Sequence, residues 1–119
     1  SGEDRYAEAI NHFTRALIIN PRHHEAHYNL GFLYSEVKNF DLARVHYETA
    51  LHIDSGFESV YYNLALLHME LEEFSLAEKR LMEFKALVTD ENRTMAENLL
   101  KVIRKQLEST QYEKHKNME

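Results

Sequence analysis

Apolar side chains recur along this chain with a helical step. Ala26, Leu30, Leu33, Tyr34 and Val37 stand at i, i+4, i+7, i+8 and i+11, which places them in one stripe on a helix. Phe40, Ala43, Tyr47 and Ala50 form a second stripe after a short break at Lys38-Asn39. Both stripes then return, as Val60, Leu64, Leu67, His68 and Leu71, followed by Phe74, Ala77, Leu81 and Phe84. The pattern predicts one helix pair at about residues 23–37 and 40–53, and another at about 58–71 and 74–88. Small residues on the stripes (Ala9, Ala43, Ala77) let two helices approach closely. A last stripe of Met95, Leu99, Val102, Ile103 and Leu107 predicts a helix from about 91 to at least 107, with Arg93, Lys101, Arg104 and Lys105 on its wet faces. The polar remainder from Ser109 to Glu119 is expected to fray. Expected helix starts are Asn20-Pro21, the Ser-x-x-Glu boxes at Ser55/Glu58 and Ser75/Glu78, and Thr89 or Asp90.

The recurrence has a fixed period of 34 residues. Tyr28 matches Tyr62, Asn29 matches Asn63, Leu30 matches Leu64, Leu33 matches Leu67 and Glu36 matches Glu70. Phe40 matches Phe74 and Ala43 matches Ala77. Upstream, Tyr6, Ala9, Phe13, Ala16 and Ile19 join the same register through Phe40, Ala43, Tyr47, Ala50 and Ile53. The order that follows is one lone helix, two helix pairs and a final helix. Only three Gly and one Pro occur in 119 residues, which suits long helices with tight connections and not a turn-rich β fold.

The stretch 24–57 (HEAHYNLGFLYSEVKNFDLARVHYETALHIDSGF) resembles one full tetratricopeptide-repeat (TPR) unit, with Gly31, Tyr34, Ala43, Tyr47 and Ala50 at the family's positions. Residues 58–91 resemble a second unit, departing where His68 replaces the usual Tyr and Phe84 the usual Ala. Residues 4–21 resemble the second helix of a unit, with Ala9, Phe13, Ala16 and Pro21 in place. The resemblance implies an all-α TPR helical-repeat solenoid, its antiparallel helix pairs wound into a right-handed superhelix. On that reading residues 1–119 form one TPR domain, closed by a capping helix at 91–109 and a polar tail at 110–119.

Charge and candidate chemistry narrow the function. The chain has a net charge of −6, and nucleic-acid affinity needs clustered Lys and Arg, so no nucleic-acid partner is expected. Residues 1–90 hold 15 acids and 8 Lys/Arg, whereas 91–119 hold 5 and 6, so the repeats are acidic and the tail mildly basic. The absence of cysteine removes disulfides, thiolate zinc sites and cysteine nucleophiles. No apolar run approaches the roughly 20 residues of a membrane span, and no secretory pattern is present, so the expected setting is cytoplasmic. Ser1-Gly2 reads as an expression remnant, with the natural start expected upstream.

His23, His24 and His27 have a spacing that could bring imidazoles together, but Glu25 points elsewhere on the helix and supplies no third ligand. His27 falls where the family places an aromatic between helices. Glu72-Glu73 and Asp90-Glu91 sit at turns and helix starts, where acids favour the dipole, and no nucleophile or phosphate loop accompanies them. The triplet Asn92-Arg93-Thr94 matches a glycosylation acceptor but falls in a helical turn. The chain is therefore expected to be no enzyme and to use no cofactor and no metal.

Subtracting the packing stripes leaves Glu25, Tyr28, Asn29, Phe32, Ser35 and Glu36 in one copy, and Ser59, Tyr62, Asn63, Leu66, Met69 and Glu70 in the next. TPR proteins line a concave groove with these faces, so the resemblance implies that Glu25, Tyr28, Asn29, Phe32, Glu36, Ser59, Tyr62, Asn63, Leu66, Met69 and Glu70 meet a partner. The plainer alternative is that the Tyr and Asn positions only pack between helices. It serves less well for Phe32, Leu66 and Met69, which add apolar surface where none is required. Co-chaperone TPR domains grip a terminal carboxylate with Lys and Arg. Here Asn29 and Asn63 match, but Glu25, Tyr28 and Ser59 stand where cations would be needed. The expected partner is another protein, offering a peptide or helix with apolar anchors and basic flanks. Two rivals stand beside this non-catalytic scaffold. One is self-association through an open N-terminal edge, where Ile10, Phe13, Leu17 and the Ala26–Leu30 stripe are expected to lack a neighbour. The other is a peptide-presenting domain of a larger enzyme.

Overall fold

The computed structural model describes residues 2–118. They form six helices: α1 (Gly2–Ile19), α2 (His24–Glu36), α3 (Phe40–Ile53), α4 (Glu58–Glu70), α5 (Phe74–Leu87) and α6 (Asp90–Asn117). The fold is the all-α TPR helical-repeat fold. Two compact units divide inside α4, one ending at Val60 and the other starting at Tyr61.

In the first unit α2 packs against both α1 and α3. The core comprises Ala26, Leu30, Leu33, Ala43, Tyr47 and Ala50, all buried. One contact sets the spacing of α2 and α3. A Cβ placed on Gly31 would lie 2.5 Å from the Tyr47 ring, closer than any carbon contact allows. Gly31 has no side chain because the ring takes that space, and burying a side chain of this size contributes about 1.5–3 kcal/mol. The expectation that the Ala26–Leu30 stripe lacks a neighbour is corrected here: both residues are sealed, at 0% and 1% exposure. Helix α1 covers one flank of α2 while α3 covers the other. On α1 itself no residue is buried: Ile10, Phe13 and Leu17 are half-buried, and at its end Ile18 and Ile19 are 77% and 86% exposed.

In the second unit α5 packs against α6. Ala77, Leu81 and Phe84 of α5 and Ala96, Leu100 and Ile103 of α6 are buried. The docking stripe of α6 therefore differs from the one expected. Met95 and Val102 face solvent, and Ala96 and Leu100 take their place, since the small Ala96 allows the closer approach. Arg104 reaches across from α6, donating from Nε to Glu78 Oε2 at 3.0 Å and from Nη2 to Met82 S at 3.6 Å. Lys85 Nζ lies 3.5 Å from Glu97. Helix α6 continues to Asn117 through the segment expected to fray; Lys114, His115 and Lys116 in its last turn suit the negative end of the dipole. Glu119 lies outside the described residues.

The helix starts also depart from the sequence expectation. His23, not Asn20, caps α2, with Nδ1 accepting from Ala26 N at 3.2 Å. Asn20 and Pro21 form the preceding turn, in which Asn20 Oδ1 accepts from Arg22 N. Helix α5 starts at Phe74, so Ser75 lies inside its first turn, and Glu73 is the cap residue, its side chain making no capping hydrogen bond. Helix α4 starts at Glu58, two residues beyond the position adjacent to Ser55. Inside each pair the turn repeats one device. Lys38 and Glu72, 34 residues apart, both hold positive φ, at 64° and 58°. The next amide closes each helix, Asn39 N to Tyr34 O at 2.8 Å and Glu73 N to His68 O at 2.7 Å. This is the helix ending in which a left-handed residue satisfies otherwise orphaned carbonyls.

Candidate functional site

A cleft of about 520 Å³ opens in the first unit between the start of α2 and the turn from α3 into α4. Glu25, Tyr28 and Asn29 enter it from α2, and Ser59 from the first turn of α4. The turn itself contributes Asp54, Gly56 and Phe57. Its shape follows from local sequence: Asp54 Oδ1 accepts from Gly56 N at 3.0 Å, an Asp side chain folding its own backbone. That turn presents Phe57 to Tyr28, with ring centroids 4.9 Å apart.

Acids ring this aromatic pair. Glu25, Asp54 and Glu58 line the cleft, and neither Lys nor Arg does. His24 stands among them, its Nε2 at 3.8 Å from Asp54 and 4.0 Å from Glu25, with its ring edge-on to Phe57. Beneath, Tyr47 lies 6.0 Å from Tyr28. Burial, followed by the nearby Tyr28 and Glu36, pushes the Tyr47 hydroxyl far above its ordinary range, so it remains a neutral donor.

The other sequence-named residues are placed as follows. Phe32 is 44% exposed on α2. Glu36 is exposed near the end of α2 and accepts from the Tyr6 hydroxyl at 3.4 Å. In the second unit Tyr62 is half-buried against Phe84, with centroids 5.3 Å apart. Asn63 and Met69 are half-buried, Leu66 is 39% exposed and Glu70 is exposed. The structure thus brings Glu25, Tyr28, Asn29 and Ser59 to one cleft and leaves Phe32 as a separate apolar surface on the same helix. Asp54 and Phe57 were missed by the helical subtraction, which ranks helix positions only, and His24, at the first position of α2, was weighed only as a metal ligand. The Asp-x-Gly-Phe segment was the available signal, a tight turn aiming an aromatic.

The departures from the family pattern also find partners. His68 is 4% exposed, and its Nδ1 lies 3.1 Å from Glu73 Oε1. Phe84 is buried under Tyr62. Among the described residues no three His, Asp or Glu side chains converge as metal ligands, and no helix is long and apolar enough to cross a membrane.

Two family profiles match the chain, one described as tetratricopeptide repeat over residues 24–57 and one as TPR repeat over residues 3–38. Solved structures share the fold. The Yersinia enterocolitica type III secretion chaperone SycD, in complex with a peptide of the translocator YopD, gives a TM-score of 0.79 at 18% identity, over 87% of this chain and 82% of that one. The first TPR of Spaghetti (RPAP3) bound to the HSP90 peptide SRMEEVD gives 0.79 at 20% identity, over 89% and 82%. The TPR2B domain of yeast Sti1, in a complex with pHsp70, gives 0.74 at 14% identity, over 92% and 87%. No curated protein sequence matches significantly. The 34-residue period, the helix pairs built on it and the profile matches across residues 3–57 agree, and the chain belongs to the tetratricopeptide-repeat family.

Proposed function

We propose that this chain is a non-catalytic interaction module that takes a peptide or helix of a partner protein on the outward faces of α2 and α4. The observation that carries the proposal is the acidic, aromatic cleft beside an exposed Phe32, an arrangement the packing of the unit does not require. TPR folds are in general non-catalytic interaction folds, and three structural neighbours are solved with partner segments bound. On α2, Tyr28 and Phe32 serve as apolar anchors, Asn29 as a polar contact, and Glu25 and Glu36 as the acidic rim. On α4, Ser59, Tyr62, Asn63, Leu66, Met69 and Glu70 act in the same roles. The partner chemistry differs from that of the HSP90 peptide SRMEEVD, which carries three acids. A cleft lined by carboxylates without Lys or Arg favours apolar anchors with basic flanks.

A displayed random-peptide library, selected on the full chain, tests this. The selected peptides should carry aromatic or aliphatic anchors with Lys or Arg beside them, and Tyr28→Ala should abolish the enrichment. Selection of acidic carboxyl-terminal sequences would overturn the assignment. A second reading, self-association through α1, has its own observation in the exposed Ile18 and Ile19. Light scattering on Ile18→Ser with Ile19→Ser separates it: this reading requires a dimer that the double variant abolishes, whereas peptide selection is unaffected.

A further inference from the structure

Two imidazoles in the first unit face one another nitrogen to nitrogen. His27 of α2 and His46 of α3 bring their Nδ1 atoms to 3.1 Å, a hydrogen-bond distance. His27 Nε2 lies 2.9 Å from the carbonyl oxygen of Pro21 in the turn between α1 and α2. A carbonyl only accepts, so His27 Nε2 carries hydrogen and its neutral ring offers Nδ1 as a lone pair. His46 must then donate from its own Nδ1. The His46 ring is held by stacking on Tyr34, with centroids 5.6 Å apart and planes at 11°. The neighbouring cap uses the same state: His23 Nδ1 accepts from Ala26 N and loses that capacity when protonated.

We propose that the His27–His46 pair is an acid-sensitive latch tying the Pro21 turn and α2 to α3, closed while one proton lies between the two Nδ1 atoms and opened when each carries its own. A first added proton goes to His46 Nε2 and leaves the N–H···N bond intact. A second, on His27 Nδ1, sets two N–H groups against each other at hydrogen-bond distance, and the rings must part. Burial, and next the charge of His27, hold His46 below the ordinary imidazole range, which opposes charging while the latch is closed.

No carboxylate relieves this. His24, near the start of α2, is turned to Glu25 and Asp54. On α3, Arg44 pairs with Asp41, and no acid stands one turn from His46 on its own face. The last turn of α1, residues 16–19, carries no charge. The sign follows: the unfolded chain binds protons here more readily than the folded one. Since the folded value of His46 is lowered, its contribution to stability is complete above about pH 6.5, the free imidazole value, and is lost as pH falls below it.

Imidazole nitrogen NMR of the full chain, titrated from about pH 8 to about pH 4.5 across the free imidazole value, reads the pair directly. His46 is expected to titrate below the free imidazole value, and the Ala26 and His27 amides to lose exchange protection only as the pair takes up its second proton. The variant His46→Phe keeps a ring against Tyr34 and removes the nitrogens. Its unfolding midpoint should fall less between about pH 7.5 and about pH 5.5 than that of the unmodified chain, whereas a merely structural ring would shift the midpoint equally at both. Titration of His46 at or above the free imidazole value, or an unchanged pH dependence in a folded His46→Phe, overturns the latch. If His46→Phe fails to fold, the titration of the unmodified chain decides.

Discussion

The two helix pairs occupy one register 34 residues apart and fill it with different side chains. The first pair sets Gly31 opposite Tyr47; the second has Ala65 and Leu81 at the same positions, both fully buried. A ring with no Cβ facing it, or a methyl with a branched aliphatic, supplies the volume. The aromatic partners differ as well. Tyr28 leans on Phe57 from a turn, and Tyr62 leans on Phe84 from within α5. Where the family's small residue remains, at Ala50, the first unit has its aromatic partner in the turn and a cleft beside it. Where Phe84 replaces it, the partner is part of the core. One period therefore yields a repeat with an open aromatic pair and a repeat with a closed one.

The largest test of this contrast is Phe84→Ala, which restores the residue found at Ala50. A buried aromatic lost to a cavity costs about 3–5 kcal/mol, and urea denaturation should show it. Phe57→Ala removes a turn residue and should cost far less stability while weakening peptide binding. Equal losses for the two would erase the distinction between open and closed pairs.

Next is Gly31→Ala, which forces a methyl onto the Tyr47 ring and should cost about 1–3 kcal/mol, as overpacking does. Adding Tyr47→Leu copies the second pair into the first and should recover much of that loss. A double-mutant cycle measures the coupling. Additive effects would mean that the two positions do not share one volume.

Glu73→Gln keeps the shape beside His68 but weakens a charge-assisted bond, with an expected loss of about 1–2 kcal/mol. The equivalent position of the first pair holds Asn39, so the effect belongs to the second pair alone. Lys38→Gly and Glu72→Gly should act alike, because both relieve the same left-handed backbone. Each should gain about 0.5–1 kcal/mol, the steric relief less the added entropy of glycine. Opposite signs at the two sites would break the equivalence of the turns. The smallest effect is expected of Arg104→Ala, an exposed pair with Glu78 worth about 0.2–1 kcal/mol.

Much of the fold was legible because it is periodic. The stripes placed four helices within about a residue of α2 to α5, since one apolar face per helix repeats with the turn of the helix itself. The starts were less legible: Asn20 and Ser75 have good capping chemistry but sit one turn too early or inside the helix. On α6 the stripe ran through Met95 and Val102, whereas close packing selected Ala96. At the site, α2 residues could be ranked by face, but Phe57 and Asp54 come from a turn that has no period. The contact of His27 with His46 was illegible for a related reason, because it depends on how two helices rotate and not on either alone.

The central claim is that the exposed face of α2 holds a partner. Binding of a library-selected peptide to Phe32→Ala, measured by calorimetry with helicity checked by circular dichroism, tests it most directly. Phe32 is exposed, so its removal should leave the helices intact and weaken binding by about 1–3 kcal/mol, as for an interface anchor. A folded Phe32→Ala chain that bound the peptide at full strength would contradict the account and move the interaction surface off this face.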